Sequence, residues 1–569
     1  MTDREVVPIR YCPGRIGTIS EENWYHCVSA PSLGICSRCY HDYLKPLPFA
    51  TNFNHQYDAS GARRTCDFNV PRVHAVLREA IHRNDFAVLD SYFARRGQLP
   101  RCKGGGRLVA AEDNFVWFQP MDTNFAGKWG ACGACYEDYI VASTYSSYFA
   151  KSPIIQPRDQ LFECDMAWPL CQGMMAGAGG DWNQIMSWVL YRRGLPRCNA
   201  SSEVDVTSRN WYRPRDPELG SLLVCEACYY DRIYNSVAAQ HFDLSRHQLP
   251  PNSKTVCFVS GNIPLSLALD ETLQRKDWAI FQRAAHAFVR NPRCNKDGIQ
   301  NYTWYSLLPA ADQFNVCQSC YACIFEARNA GHFLAPKLPQ IPDRARLCNM
   351  NIRTAHALSM YRKLDQAIDR YDVSIFSDFA RRLSVVPSCP RQHPVSERRW
   401  YSHHMFSCCQ SCWIEADIGN THFSSCFSPE LKISSPLKCD FYSPRVRELW
   451  AVACAENDLP GFIRFMEKRL DIWRQTYPQI HQNLHMAQMN VTQQQSLFLA
   501  STINTGSNAV AAGAGMNGHY GNGQIGYGHE TFAGAQGAIQ FNEALSMGLR
   551  NALPFTSNLQ LEMLWKSVE

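Results

Sequence analysis

Five pairs of cysteines, each pair separated by two residues, punctuate a chain of 569: Cys36/Cys39, Cys132/Cys135, Cys225/Cys228, Cys317/Cys320 and Cys409/Cys412. Thiols at this spacing support three kinds of chemistry. They can exchange electrons as a redox couple, hold a soft cation as half of a tetrahedral shell, or enter a disulfide framework. A CxxC alone does not choose among these, but its surroundings do. Each pair has a lone cysteine upstream (Cys12, Cys102, Cys198, Cys294, Cys389) and another downstream (Cys66, Cys164, Cys257, Cys348, Cys439). The downstream gap holds at 27 to 29 residues, while the upstream gap varies from 20 to 30. The unit is therefore Cys, variable loop, CxxC, fixed spacer, Cys. It occurs five times and uses twenty of the 26 cysteines.

A redox couple needs one accessible pair beside a βαβ pattern, and no alternation of strands and helices surrounds these motifs. A disulfide framework needs an oxidising compartment and suits short secreted chains. The N-terminal stretch "MTDREVVPIRYCPGR" is charged from its third residue and has no apolar leader core, so we expect an intracellular protein, nuclear or cytoplasmic. Thiols there stay reduced. Grouping by four matches Zn²⁺, which takes four thiolates in a closed, structural tetrahedron. The expected ligand sets are Cys12/Cys36/Cys39/Cys66, Cys102/Cys132/Cys135/Cys164, Cys198/Cys225/Cys228/Cys257, Cys294/Cys317/Cys320/Cys348 and Cys389/Cys409/Cys412/Cys439, which makes about five structural zinc ions. In the fifth unit Cys408 adjoins Cys409, leaving a register one residue away open, and His403 and His404 lie near enough in sequence to be alternative ligands. Cys27, Cys171, Cys323, Cys408, Cys426 and Cys454 do not recur between units and read as ordinary buried thiols.

These sulfurs need elements to position them. Between the cysteine units a second pattern repeats: "NDFAVLDSYFARR", "GDWNQIMSWVLYRR", "KDWAIFQRAAHAFVR", "YDVSIFSDFARR" and "NDLPGFIRFMEKR". Each contains an aspartate near its start (Asp85, Asp181, Asp277, Asp372, Asp458), then an apolar face at helical spacing, then arginine. Asp is a strong N-cap and arginine suits a helix C-terminus. An earlier apolar-periodic run completes a helical hairpin in four units; in the second, "CQGMMAGAGG" is glycine-rich and its first helix is weaker. The expected fold is a tandem five-unit repeat, mainly α, in which small zinc-stabilised modules with short irregular or β segments alternate with α-helical hairpins. The modules span 1–66, 102–164, 198–257, 294–348 and 389–439, and the hairpins 67–101, 165–197, 258–293, 349–388 and 440–478. Residues 479–569 open on a Gln/Asn/Gly-rich stretch without Lys, Arg, Asp or Glu, so we expect a disordered tail with short C-terminal helices.

Arginines crowd the upstream cysteines, as in "RRGQLPRC" and "YRRGLPRC". They suit either phosphate contacts or neutralisation of the thiolates. Five Cys₄ shells, each carrying about two net negative charges, would shift the formal +5 to about −5, which favours the second reading. A tryptophan recurs between the first and second ligands (Trp24, Trp117, Trp211, Trp304, Trp400), and a phenylalanine recurs after each pair (Phe53, Phe149, Phe242, Phe333, Phe423). Their fixed offsets suit a miniature core around each site better than base stacking. No GxSxG, P-loop, HExxH or dinucleotide fingerprint is present, no small-molecule substrate is evident, and no stretch approaches the 18 apolar residues of a membrane span.

The combination "YCPGRIGT", "NWYHC" and "GICSRCYHDYL" resembles a cysteine-rich family of filamentous fungi over residues 1 to about 475. The resemblance implies no activity. The sequence alone thus points to a non-enzymatic zinc-repeat scaffold with a protein partner. Nucleic-acid binding is the alternative, and a zinc enzyme the more distant one.

Overall fold

The computed structural model describes residues 6–20, 23–58, 62–105, 107–177, 179–245, 253–300, 302–341, 345–428, 431–513, 517–519, 525–527, 532–550 and 552–569. About half of the chain is helical, and its sheets are small. It divides into two compact units, one of Met1–Cys389 with Gln410–Ile418, the other of Pro390–Cys409 with Gly419–Glu569.

One sheet design recurs in all five cysteine modules. Three short antiparallel strands lie side by side, with the first in sequence at the centre. The central strands are Asn23–Cys27, Trp117–Pro120, Trp211–Pro214, Trp304–Leu307 and Arg398–Ser402. Each carries the recurring tryptophan, and all five tryptophans are buried. Alternation along the strand turns the next residue to the other face. There Tyr25, Phe118, Tyr212 and Tyr305 stack flat on Tyr40, Tyr136, Tyr229 and Tyr321, the aromatics that follow each CxxC, with centroids 3.6–3.8 Å apart and planes within 4°. The recurring tryptophans thus serve as core, as do Phe53, Phe149, Phe242 and Phe333, all buried.

Helices follow each module in sequence. Pro71–Arg83 packs on Phe86–Gly97, Ile263–Arg275 on Trp278–Arg290, and Ala357–Arg370 on Val373–Leu383. After the second module the first helix, Pro169–Ala176, is only 8 residues long, as its glycines dictate. All five expected aspartates cap their helices. Asp85, Asp181, Asp277, Asp372 and Asp458 accept backbone N–H groups of Ala87, Gln184, Ala279, Ser374 and Gly461 at 2.9–3.0 Å. In four cases the residue before the aspartate, between two consecutive helices, lies in the left-handed region at φ 50° to 59°: Asn84, Lys276, Tyr371 and Asn457.

The first unit contains more than neighbour-to-neighbour packing. The segment around Cys12, from Arg10 to Ser20, reaches helices that lie over 250 residues away in sequence. Arg10 pairs with Glu271 at 2.7 Å, its N–H donates to Asp369 Oδ1 at 3.1 Å, and Ser20 bonds Asp365. Burial, aided by the Asp365 charge, pushes the Asp369 carboxyl up to about 7. An acid whose folded pKa exceeds its unfolded value near 3.9 favours folding most below that value, and the contribution fades as pH rises through the folded value. Asp369→Asn keeps an oxygen acceptor for Arg10 N–H. Its melting temperature should therefore exceed that of the parent by more at pH 8 than at pH 6, and a pH-independent difference in thermal unfolding would count against this account.

The tail differs from the expectation of disorder. Helix Leu459–Gly513 continues through 55 residues, past Pro478, and packs against Phe532–Arg550 and Ala552–Lys566. The fifth helical pair therefore does not end at 478. Absence of charge suggested disorder, yet Gln, Ala, Met and Leu are all good helix formers. The tail's polar side chains find partners across the helix pairs: Gln494 donates to Ala544 O at 3.0 Å, Ser501 to Gly537 O at 2.8 Å, and Asn504 to Gln540 at 2.8 Å. Gly537 permits the approach, since a Cβ there would lie 3.2 Å from Ser501 O. Residues 514–516, 520–524, 528–531 and 551 of the expected tail lie outside the described residues.

Candidate metal centres

The sheet places two cysteines of each quartet, and a bridge places the other two. Across the strand pair the buried tryptophan faces the first cysteine of the CxxC: Trp24 faces Cys36, Trp117 Cys132, Trp211 Cys225, Trp304 Cys317 and Trp400 Cys409. That cysteine caps a short helical turn, which lifts the second cysteine beside it; in the first module Cys39 N–H donates to Cys36 Sγ at 3.5 Å. A β-bridge then ties the loop after the first ligand to the residue two positions before the fourth: Thr18 to Arg64, Val109 to Phe162, Val204 to Thr255, Ile299 to Arg346 and Val395 to Leu437. The constant downstream spacer reflects this register. A recurring N–H···S bond fixes the fourth cysteine, as Cys36, Cys132, Cys225, Cys317 and Cys409 N–H donate to Cys66, Cys164, Cys257, Cys348 and Cys439 Sγ at 3.3–3.5 Å.

The result is five groups of four, with every Sγ of a group within 4.8 Å of the others: Cys12/Cys36/Cys39/Cys66, Cys102/Cys132/Cys135/Cys164, Cys198/Cys225/Cys228/Cys257, Cys294/Cys317/Cys320/Cys348 and Cys389/Cys409/Cys412/Cys439. These groups can hold metal ions. In each, the first sulfur is half-buried and the other three are buried. All 26 cysteines are thiols rather than halves of disulfides. A tetrahedron with metal–sulfur bonds of about 2.3 Å has edges of about 3.8 Å, inside that limit, so the donor set fits a tetrahedral thiophilic ion. The electrostatics fit as well. Hydrogen bonds from the three partner thiols hold Cys12, Cys102, Cys198 and Cys294 far below the usual thiol range. The same bonds, aided by burial, push Cys36, Cys135, Cys228 and Cys320 far above it. Four sulfurs this close share protons unless a cation lets all of them ionise.

The other thiols stand apart from these groups. Cys408 lies outside the fifth quartet, its Sγ donating to Cys409 O at 3.4 Å. His403 lies outside it too, stacked on Phe406 at 4.5 Å. Cys27, Cys171, Cys323 and Cys408 are buried, whereas Cys426 and Cys454 are half-buried, so the buried reading fits four of the six.

The arginines turn to carboxylates rather than to sulfurs. Arg101 pairs with Asp67 at 2.7 Å, Arg193 with Asp165 at 3.4 Å and Arg469 with Asp440 at 2.7 Å. Each of these aspartates follows the fourth cysteine of its quartet and accepts a backbone N–H: from Gly34, Gly130 and Ser407 respectively, at 2.8–2.9 Å. Arg96 and Arg192 make bidentate pairs with Asp138 and Asp231, three residues past the next CxxC, at 2.6–3.1 Å. Sequence reasoning saw the arginines but missed these aspartates, because each partner lies roughly thirty to forty residues away, before or after its arginine.

No family model matches the chain, and neither a curated protein nor a solved structure does. Among the described residues, no helix is long and apolar enough to cross a membrane.

Proposed function

We propose that the chain is a non-enzymatic repeat protein whose five quartets each hold one structural Zn²⁺, and that the array serves as a platform for a protein partner in a reducing compartment, nucleus or cytoplasm. The observation that supports this reading is the grouping of each quartet: four cysteine sulfurs within 4.8 Å of one another, three of the four residues buried, enough donors to close a tetrahedral shell around one ion. A tandem array of Cys₄ modules, each repeating the same design, suits macromolecular partners. A protein is favoured over a nucleic acid because Arg96, Arg101, Arg192 and Arg193, the arginines nearest the second and third quartets, are held in ion pairs.

Elemental analysis and native mass spectrometry of the reduced chain should find about five zinc ions. After metal removal and unfolding about 26 titratable thiols should appear, against no more than the six non-ligand thiols before, four of them buried. One or two metals, or an ion with an exchangeable water ligand, would overturn the structural reading. Binding to mixed-sequence nucleic acid that weakens steeply with salt would favour the nucleic-acid alternative.

A further inference from the structure

The five quartets share one design but not one electrostatic setting. In the first module Asp67 follows Cys66 and takes Arg101, the residue before Cys102. In the second module Glu163 precedes Cys164 and pairs with Arg197, the residue before Cys198. The third module has Val256 and Phe258 around Cys257, so the equivalent Arg293, just before Cys294, loses its carboxylate. Among the described residues Arg293 has no ion pair or side-chain hydrogen bond, and neither does the side chain of Arg353; both are exposed. In the fourth module Asn349 replaces the aspartate after the last cysteine and accepts the Asn315 N–H at 2.8 Å, so no negative charge returns.

These two guanidiniums flank an opening. A cavity of about 310 Å³ is lined by Arg293, Cys294, Ser319, Cys320, Asn351 and Arg353, among others, so two cysteines of the fourth quartet border it. Cys294 is the half-buried cysteine of that quartet, and Asn351 Nδ2 donates to its sulfur at 3.3 Å. A metal-loaded Cys₄ shell carries about two negative charges and repels anions. Two unpaired arginines at its mouth reverse that local sign.

We propose that the fourth quartet is a redox-releasable metal site, entered through Cys294 by a small anionic disulfide seated against Arg293 and Arg353. The inference rests on the zinc reading above. The Cys294 thiolate attacks one sulfur of the disulfide, forming a mixed disulfide and expelling one small thiolate. The Cys320 thiolate, its Sγ within 4.8 Å, then attacks the Cys294 sulfur, forming the Cys294–Cys320 disulfide and expelling the second thiolate. Two protein thiolates lose two electrons and the small disulfide gains them. Two sulfurs remain, too few to close the shell, and one metal equivalent is lost.

The test uses the full zinc-loaded chain, its metal content measured first. Glutathione disulfide is the anionic probe and cystamine the cationic one. Metal release is followed with a chromophoric chelator, and adducts are mapped by peptide mass spectrometry. The expected result is a first zinc equivalent released with Cys294 as the first modified residue, about tenfold faster with glutathione disulfide than with cystamine. The double variant Arg293→Gln/Arg353→Gln should bind the same amount of metal and lose that preference. A first adduct on another cysteine, or equal rates for the two probes on a chain carrying five zincs, overturns this inference and leaves the zinc reading standing. A purified chain with no metal overturns both.

Discussion

A chelator applied to the reduced chain is expected to abolish the near-ultraviolet circular dichroism of the modules while part of the helical far-ultraviolet signal survives. The strands of the modules run from two to seven residues, too short for a three-stranded sheet to stand alone. The buried side chains of the first four modules join cores shared with the neighbouring helices, and Trp24, Trp211, Trp304 and Trp400 are among the largest fully buried side chains in the molecule. A structural Zn²⁺ contributes about 10–16 kcal/mol to a small domain of this kind, more than any other single interaction available to it. Once it is gone, the sulfurs must take up protons, the bridge beside the fourth cysteine has nothing to hold it, and the tryptophans lose their fixed surroundings. The tail helix Leu459–Gly513 and its partner Phe532–Arg550 contain no quartet and should keep much of their helicity. Cys228→Ser should remove one metal of five and loosen the third module first. An unchanged near-ultraviolet spectrum in a chain proven free of metal would sink the idea that the ions hold the modules in their folded form.

How much of this was legible in the sequence depends on how far apart the interacting residues lie. The aspartate caps act within three residues of themselves, so Asp85 and its four counterparts could be read directly. The grouping of the quartets could be read because repetition supplied what a single unit lacks: five concordant spacings imply one register, and the Thr18–Arg64 bridge and its equivalents are that register. The flat stacking of Tyr25 on Tyr40 was invisible, although both residues recur, because composition does not say which face of a strand an aromatic takes. The tail's helices are not legible from its charge-free composition, which speaks only to solvation. Its helix is sustained by partners about 36–50 residues away, such as Gly537 against Ser501 and Ala544 against Gln494, which no local pattern announces.

The second large effect is expected where Arg96 meets Asp138. Arg96 is 2% exposed and Asp138 1%, and Tyr92 Oη also donates to this carboxylate, at 2.9 Å. Arg15 joins the same group from the first module, so four side chains converge on one interface between units. Removing one partner of a buried pair strands the other charge without water, at a cost of about 3–5 kcal/mol, so Asp138→Ala should lower the denaturation midpoint sharply. The pair itself need not be stabilising, however, and the chain supplies the comparison. Counted from the capping aspartates, Tyr92 and Arg96 correspond to Ala284 and Phe288 in the third helical pair; counted from the CxxC, Asp138 corresponds to Cys323. There the ionic group is absent as a set: Phe288 packs against the core, and the Cys323 thiol lies 3.6 Å from Ala284 O. Replacement of a buried ion pair by apolar groups of fitting volume is often neutral or better. The triple variant Tyr92→Ala/Arg96→Phe/Asp138→Cys, which copies the third interface into the first, should therefore recover most of the stability that Asp138→Ala loses. Equilibrium urea unfolding of the zinc-loaded proteins measures both. If the triple variant is no more stable than Asp138→Ala, then the two interfaces are not interchangeable solutions, and Arg15 or the first module's own packing requires the carboxylate.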